Sequence, residues 1–316
     1  MDPAGYEQFK KIHLLMDNIK NILVCLDLTA MDRDLIRYAA YFAEKTGCKN
    51  VTFFHAIQAY DLPNRSSRSF PDVETELSDL IRTTIHQYVD QQFEDTITWQ
   101  VEMRTGYENA AEEVIRYANE GDFDLTLIGQ KTGENRAGLY GQKIAGEIAT
   151  DLLLVPEQAD YSLSGILCAL DFSEPSRKAF EWSLKLAEKE NEKPELYFVT
   201  NPARAFFPVT TDRSYSMQTK KYLRQVDQFL EQYNLTRAQV TTHIELNDQF
   251  TSEAEKIYEM ALISGHSLII VGTRGDTANV TSLLGNLTES FRLMEKEIPV
   301  LIVKPAAEPR SWFSGS

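Results

Sequence analysis

The sequence predicts an α/β protein with two tandem domains, each built on a mostly parallel five-stranded sheet flanked by helices. Three observations support this prediction. The chain has 316 residues, 43% of them hydrophobic, which is enough to bury the cores of two domains. Short apolar runs alternate with helical patterns, as in βαβ units with right-handed crossovers. The whole order of these segments occurs twice along the chain.

The first strand and the first helix of each repeat correspond closely. Residues 22–27 read Ile-Leu-Val-Cys-Leu-Asp, and residues 166–171, which lie 144 positions later, read Ile-Leu-Cys-Ala-Leu-Asp. Each run has the apolar pattern of a buried strand and ends in an aspartate. Thr29 and Ser173 are then predicted to cap the following helices, whose apolar residues recur at helical spacing.

The remaining predicted strands also occur in pairs, one in each repeat. They are 51–57 with 196–199, 124–129 with 267–272, and 152–155 with 300–303. A polar segment, 157–164, separates the repeats, so we place the domains at residues 1–157 and 158–316. Each domain is predicted to be Rossmann-like. Since a closing strand at an open sheet edge would expose unpaired backbone groups, we expect the two closing strands to pair and join the domains as a pseudo-dimer.

Composition and charge argue against several classes of partner. Forty-seven acidic residues against 32 basic residues give a net charge of -15, which disfavours nucleic acids and anionic membranes. The three cysteines form no CxxC motif or other ligand spacing, which fits a reducing compartment and predicts no metal site. The chain shows neither the pattern of a signal peptide nor that of a membrane span. We therefore expect a soluble, cytoplasmic protein.

A glycine-containing segment in the second repeat carries the main functional signal. Gly272, Gly275 and Gly285 follow the strand 268–271 with the spacing G-x2-G-x9-G. The spacing alone is weak evidence, but its position is informative. A strand, a loop of bare backbone amides and a helix N-terminus in succession are suited to holding a phosphate group.

With these motifs the sequence resembles the universal stress protein family, and in particular its tandem two-domain members. In that family an aspartate at the end of the first strand contacts adenine, and the glycine segment surrounds the ribose and phosphates of ATP. The resemblance therefore implies a stress-response protein with an ATP site, with AMP or ADP as alternatives and Mg²⁺ accompanying the nucleotide. The implied site residues are Asp171 and Val199 at the adenine, Gly272, Arg274 and Gly275 near the ribose and phosphates, and Gly285, Asn286 and Leu287 at the phosphate end. Asn286 departs from the family, which has Ser or Thr there, although its carboxamide can still donate a hydrogen bond.

The first repeat keeps the aspartate but not the glycine loop. Asp27 matches Asp171, whereas Gly129 and Gly133 are one residue too far apart and the third glycine is missing. Glu134 adds a negative charge that would oppose a phosphate. We therefore expect nucleotide in the second domain, and none or far weaker binding in the first. Residues 129–132 superficially resemble a Walker A loop but lack its glycines.

The residues also leave a structural interpretation open. Asp27 and Asp171 could be turn formers at strand ends, Arg274 a solvated loop charge, and His55 a core histidine. We recognise no catalytic triad, paired-carboxylate cleft or GxSxG elbow, so we expect no enzyme activity beyond slow ATP hydrolysis. The predicted function is an adenine-nucleotide sensor or switch in the stress response. The alternative is a stress-response scaffold that binds no nucleotide, and a homodimer is compatible with either.

Overall fold

The computed structural model describes residues 19–58, 71–94, 96–106, 109–130, 139–200, 211–246, 251–273 and 298–305. The first half of the chain contains β1 (Asn21–Leu26), α1 (Met31–Thr46), β2 (Asn50–Gln58), α2 (Pro71–Val89), β3 (Thr98–Gly106), α3 (Ala110–Glu120), β4 (Leu125–Gln130), α4 (Leu139–Glu147) and β5 (Asp151–Pro156). The second half contains β6 (Ile166–Ala169), α5 (Glu174–Lys189), β7 (Glu195–Thr200), α6 (Thr211–Glu231), a 3-10 turn (Arg237–Gln239), β8 (Thr241–Leu246), α7 (Glu253–Ile263), β9 (Leu268–Gly272) and β10 (Val300–Val303). The predicted α/β class is confirmed. Within the described ranges, no helix is long and apolar enough to cross a membrane.

The strands form one sheet in the order β3-β2-β1-β4-β5-β10-β9-β6-β7-β8. Neighbouring strands within each half are parallel. The closing strands β5 and β10 pair antiparallel, with Val300 opposite Leu154 and Ile302 opposite Leu152. The predicted pairing of these strands is therefore confirmed, and it joins two five-stranded halves into one ten-stranded sheet.

A hydrophobic core runs along each face of this sheet. One core is continuous across both halves, because Phe42 of α1 and Trp182 of α5 pack with ring centres 6.2 Å apart. The other lies beneath α3, α4 and α7. Burial on both faces explains why the central strands are nearly uninterrupted apolar runs.

A buried carboxylate also links the two halves. Asp151, at the start of β5, is 3% exposed. Its Oδ1 accepts hydrogen bonds from the Lys178 ammonium and from the backbone N–H of Lys304, both at 2.9 Å. Its Oδ2 accepts one from Trp182 Nε1, also at 2.9 Å. All three donors belong to the second half of the chain, so this network fixes the two repeats relative to each other.

The helix starts differ between the two repeats. Ser173 caps α5 as predicted, since its side chain accepts a hydrogen bond from the N–H of Ser176. The prediction for Thr29 is wrong, because α1 begins at Met31 with Ala30 at the cap position and no side-chain cap. The reason is local: the Thr29 hydroxyl donates instead to Oδ1 of Asp27 at 2.6 Å.

Candidate functional site

Each half of the sheet has a crevice at the carboxyl ends of its strands. In the second half, β6 lies between β9 and β7, so the chain leaves β6 toward one side and later returns on the other. In the first half, β1 lies between β4 and β2 in the same way. Ligands of open α/β sheets bind at such switch points, outside the carboxyl ends of the strands.

The strand register determines which residues meet at the second crevice. Ala169 of β6 is aligned with Tyr197 of β7 and with Val271 of β9. The residues two positions further along each strand are Asp171, Val199 and Thr273. Two residues implied by the resemblance, Asp171 and Val199, therefore lie at the same edge of the sheet.

The backbone of Val199 faces the space beyond the end of β6. The N–H of Leu170 donates to the carbonyl oxygen of Tyr197 at 3.0 Å, so the backbone of Tyr197 points toward β6. Because strand residues alternate in direction, Val199 points the same way two residues later. The paired part of β6 ends at Ala169, opposite Tyr197, and does not reach Val199. The N–H and the carbonyl of Val199 therefore face the same edge of the sheet at which Asp171 lies.

Asp171 is exposed and forms a turn at the end of its strand. Its Oδ1 accepts a hydrogen bond from the N–H of Ser173 at 2.9 Å. The next residue, Phe172, has a φ of 62°, a left-handed conformation that is uncommon for a residue with a side chain. Asp27 makes the equivalent bond to the N–H of Thr29 at 3.2 Å, before Leu28 with a φ of 60°. The turn-forming role is thus present in both repeats, and a ligand contact by Asp171 would be additional to it.

Gly272 has a packing role that the sequence did not reveal. A Cβ atom at this position would lie 2.4 Å from the backbone nitrogen of Ser176 and 2.5 Å from the carbonyl carbon of Pro175. The end of β9 therefore packs directly on the backbone of the first turn of α5. The missing side chain is explained by this contact, whether or not Gly272 also lies near a ribose.

Thr273 is a candidate that the sequence reasoning missed. It is 5% exposed, and its backbone N–H donates to Val303 at 3.0 Å. Its Oγ1 is buried and has no hydrogen-bond partner within the described part of the chain. A buried hydroxyl without a partner is costly, so it marks a position where a ligand could supply one. The signal available in the sequence was a hydroxyl directly after the first glycine of the loop.

The other implied site residues cannot be located. Arg274, Gly275, Gly285, Asn286 and Leu287 lie outside the described residues, as do Gly133 and Glu134 of the first repeat. Of the residues that the resemblance implies, the structure therefore describes Asp171, Val199 and Gly272.

The crevice of the first repeat contains a carboxylate of its own. Asp32 is 8% exposed and accepts hydrogen bonds from the backbone N–H groups of Asp27 at 3.2 Å and Leu28 at 2.8 Å. The matching residue of the second repeat is Ser176, which carries no charge. The backbone amides of Asp27 and Leu28 are thus already bonded to the Asp32 carboxylate, which also makes the charge at the first crevice negative.

His55, Cys25 and Cys168 all lie on strands of the sheet or beside them, in structural surroundings. His55 is half-buried, and its Nδ1 lies 2.9 Å from the carbonyl oxygen of Leu26. Burial raises the pKa of the Cys168 thiol and of the partly exposed Cys25 thiol, which favours their protonated form.

Comparison with known proteins agrees with this duplicated α/β architecture. The sequence model of the universal stress protein family matches the chain twice, at residues 18–155 and 164–304. The chain therefore belongs to the universal stress protein family, as a tandem two-domain member. No curated protein matches it.

Solved structures show the same fold. A universal stress protein from Archaeoglobus fulgidus DSM 4304 is similar with a TM-score of 0.66 and 16% identity, over 90% of this chain and 98% of that one. A protein of unknown function from Pseudomonas aeruginosa PAO1 has a TM-score of 0.62 and 13% identity, over 91% and 93% of the two chains. At these identities the similarity concerns the fold alone.

Proposed function

We propose that the second domain binds an adenine nucleotide and that the protein acts as a sensor or switch in the stress response. ATP is the expected ligand, with AMP or ADP as alternatives. The observation that carries the proposal is the pair of backbone groups of Val199, presented beside the Asp171 carboxylate at the switch point of the sheet.

These groups are complementary to the edge of adenine. Adenine offers an amino group that donates hydrogen bonds, next to a ring nitrogen that accepts one. The carbonyl and N–H of Val199 match this pair, and the carboxylate of Asp171 can accept the second amino hydrogen. A backbone pair of this kind favours adenine over guanine, whose donors and acceptors are reversed along that edge.

The phosphate end has fewer described groups to support it. The Oγ1 of Thr273 is a hydroxyl without a partner in the described ranges, next to the glycine segment. Because the whole chain carries a net charge of -15, a triphosphate needs local donors or a cation to approach. Backbone amides of the glycine loop, Arg274 and Mg²⁺ bound with the nucleotide would meet this need.

We further propose that the two domains differ, with nucleotide absent from the first domain or bound far more weakly. The buried carboxylate of Asp32 already accepts the amides of Asp27 and Leu28 at the first crevice. Among the described residues at the second crevice we identify no general base or nucleophile, and we propose binding with at most slow hydrolysis.

The alternative is a scaffold that binds no nucleotide. It is favoured by the turn bond of Asp171 and by the packing of Gly272 on α5, because each accounts for its residue without a ligand. A decisive experiment must therefore alter ligand contacts while keeping the turn.

Replacing Asp171 by asparagine meets this condition. The new side chain keeps an oxygen for the N–H of Ser173 but presents an NH2 donor toward the adenine amino donor. We expect ATP affinity to fall about 10- to 100-fold, since a hydrogen bond is lost and two donors face each other. Isothermal titration calorimetry with ATP and AMP, together with melting temperatures of the same samples, would measure this.

The matched control is Asp27→Asn in the first domain, which should leave affinity unchanged. Wild-type protein should show one site per chain. Equal affinities of wild type and Asp171→Asn, or no measurable binding of either nucleotide, would support the scaffold instead.

A further inference from the structure

The groove between α1 and α2 of the first domain can be compared residue by residue with its counterpart in the second. Arg33 donates to the hydroxyl of Tyr88 at 2.7 Å, and Arg177 donates to the side-chain oxygen of Gln232. Each arginine thus bonds to the residue 55 positions later. The helix pairs α1–α2 and α5–α6 therefore pack in the same register, and residues 144 positions apart occupy equivalent places.

In the second domain an aromatic cluster fills this groove. Phe229 of α6 packs against Phe180 of α5 with ring centres 5.1 Å apart and against Phe172 at 5.7 Å. Tyr233 packs against Phe180 at 5.1 Å. The guanidinium of Arg177 covers the ring of Phe229 at 5.4 Å.

In the first domain the equivalent residues are aliphatic. Leu28, Ile36, Ile85 and Val89 stand where the second domain has Phe172, Phe180, Phe229 and Tyr233. The smaller side chains leave a cavity of about 470 Å³ between α1 and α2, next to the end of β1. This volume lies within the range of small-molecule sites.

Most of the lining of the cavity is apolar, although Thr29, Asp32 and Thr84 also line it. Ile36 and Ile85 lie in its wall and are 1% and 3% exposed. Leu28 and Leu80 line it too, but they are 45% and 64% exposed. Exposed leucines grouped around an apolar cavity indicate a surface that a ligand would cover.

Arg33 adds a positive charge at the wall of the cavity. Its guanidinium contacts Tyr88, donating to the hydroxyl and lying 4.9 Å from the ring centre. In the ranges that the structure describes, no carboxylate forms an ion pair with Arg33. The neighbouring Asp32 directs its carboxylate to backbone amides. Arg33 is exposed, so its guanidinium stands at the mouth of the cavity, where it can pair with an anionic ligand group.

We propose that this cavity binds a single-chain amphiphile with a carboxylate, such as a medium-chain fatty acid. The hydrocarbon chain of the ligand packs among Leu28, Ile36 and Ile85, and its carboxylate pairs with Arg33. A cavity of this volume has no room for the two chains of a phospholipid. The site is separate from the proposed nucleotide site, because it lies in the other domain and between two helices.

Calorimetric titration of the full chain with octanoate, nonanoate and decanoate tests the proposal. Affinity should rise about three- to fourfold with each added methylene, since each is removed from water. Decyltrimethylammonium, which has the same chain length as decanoate and a positive head group, should bind at least tenfold more weakly than decanoate. Absence of saturable binding, or equal affinity for the two head groups, would overturn the proposal.

Variants locate the site. The double substitution Ile36→Phe and Ile85→Phe copies the Phe180–Phe229 pair and should lower decanoate affinity at least tenfold. If overpacking prevents this variant from folding, Leu80→Glu serves instead, because Leu80 is exposed on a helix and the added charge should weaken decanoate binding several-fold. The matched control is Ile263→Glu, which removes another apolar side chain, 85% exposed, in the second domain. Ile263→Glu should leave decanoate affinity unchanged. Equal decanoate affinity in all folded variants would show that the ligand does not bind in this cavity.

Discussion

Replacing Asp151 by alanine should destabilise the contact between the two halves of the chain. The substitution removes an ion pair with Lys178, which is partly exposed and can be hydrated instead. It also removes the acceptor of two buried donors, the indole N–H of Trp182 and the backbone N–H of Lys304. Each buried donor left unpaired costs about 1–3 kcal/mol, so we expect a loss of about 3–5 kcal/mol in the free energy of unfolding.

Urea denaturation followed by circular dichroism would measure this loss. Asp151→Asn should lose an intermediate amount of stability. Its side-chain oxygen can accept some of these hydrogen bonds, while its NH2 group faces a donor. The matched control is Lys45→Ala, which breaks another ion pair between the halves, Lys45–Glu190, whose carboxylate is more exposed than that of Asp151. That pair should contribute less than about 1 kcal/mol. A loss for Asp151→Ala no greater than that of the control would refute the role given to the network.

Two further predictions concern the end of β9 and the end of β10. Gly272→Ala should lower stability by about 1–3 kcal/mol or more in urea denaturation, because its Cβ meets backbone atoms of α5. Gly129→Ala should cost less, because its Cβ meets the Met31 side chain, 2.6 Å from Cγ, which can move; equal losses would contradict this explanation. Burial lowers the pKa of Lys304 from 10.5 to about 8, so between these values the unfolded state binds more protons than the folded state. The free energy of unfolding should therefore rise from pH 8 toward 10.5 more steeply in wild type than in Lys304→Met, and parallel curves would rule this out.

The central strands could be predicted from sequence because burial on both faces leaves a continuous apolar run. The edge strands β3 and β8 were not among the predicted segments. Their sequences, Thr-Trp-Gln-Val-Glu-Met-Arg-Thr-Gly and Thr-Thr-His-Ile-Glu-Leu, mix polar and apolar residues. An edge strand has one neighbour and is only partly covered, so its composition resembles that of a loop.

Part of the candidate site could be predicted as well. Asp171 follows β6 and Val199 lies near the end of the adjacent parallel strand β7, and the carboxyl ends of such strands share an edge. Thr273 and Asp32 were missed because their importance depends on burial and hydrogen bonding. The carboxylate of Asp32 turns back to the amides before the helix, which the sequence alone does not reveal.

The aromatic cluster of the second domain links the two proposals. Phe172 follows Asp171 directly, and its ring stacks on Phe198 with centres 5.1 Å apart, besides contacting Phe229. This packing supports the left-handed turn next to Asp171, so on the proposed function a nucleotide would meet a prearranged acceptor. In the first domain the aliphatic Leu28 occupies the same turn and is 45% exposed. If both proposals hold, the same replacement of aromatic by aliphatic side chains would weaken the arrangement for adenine and leave room for the apolar ligand.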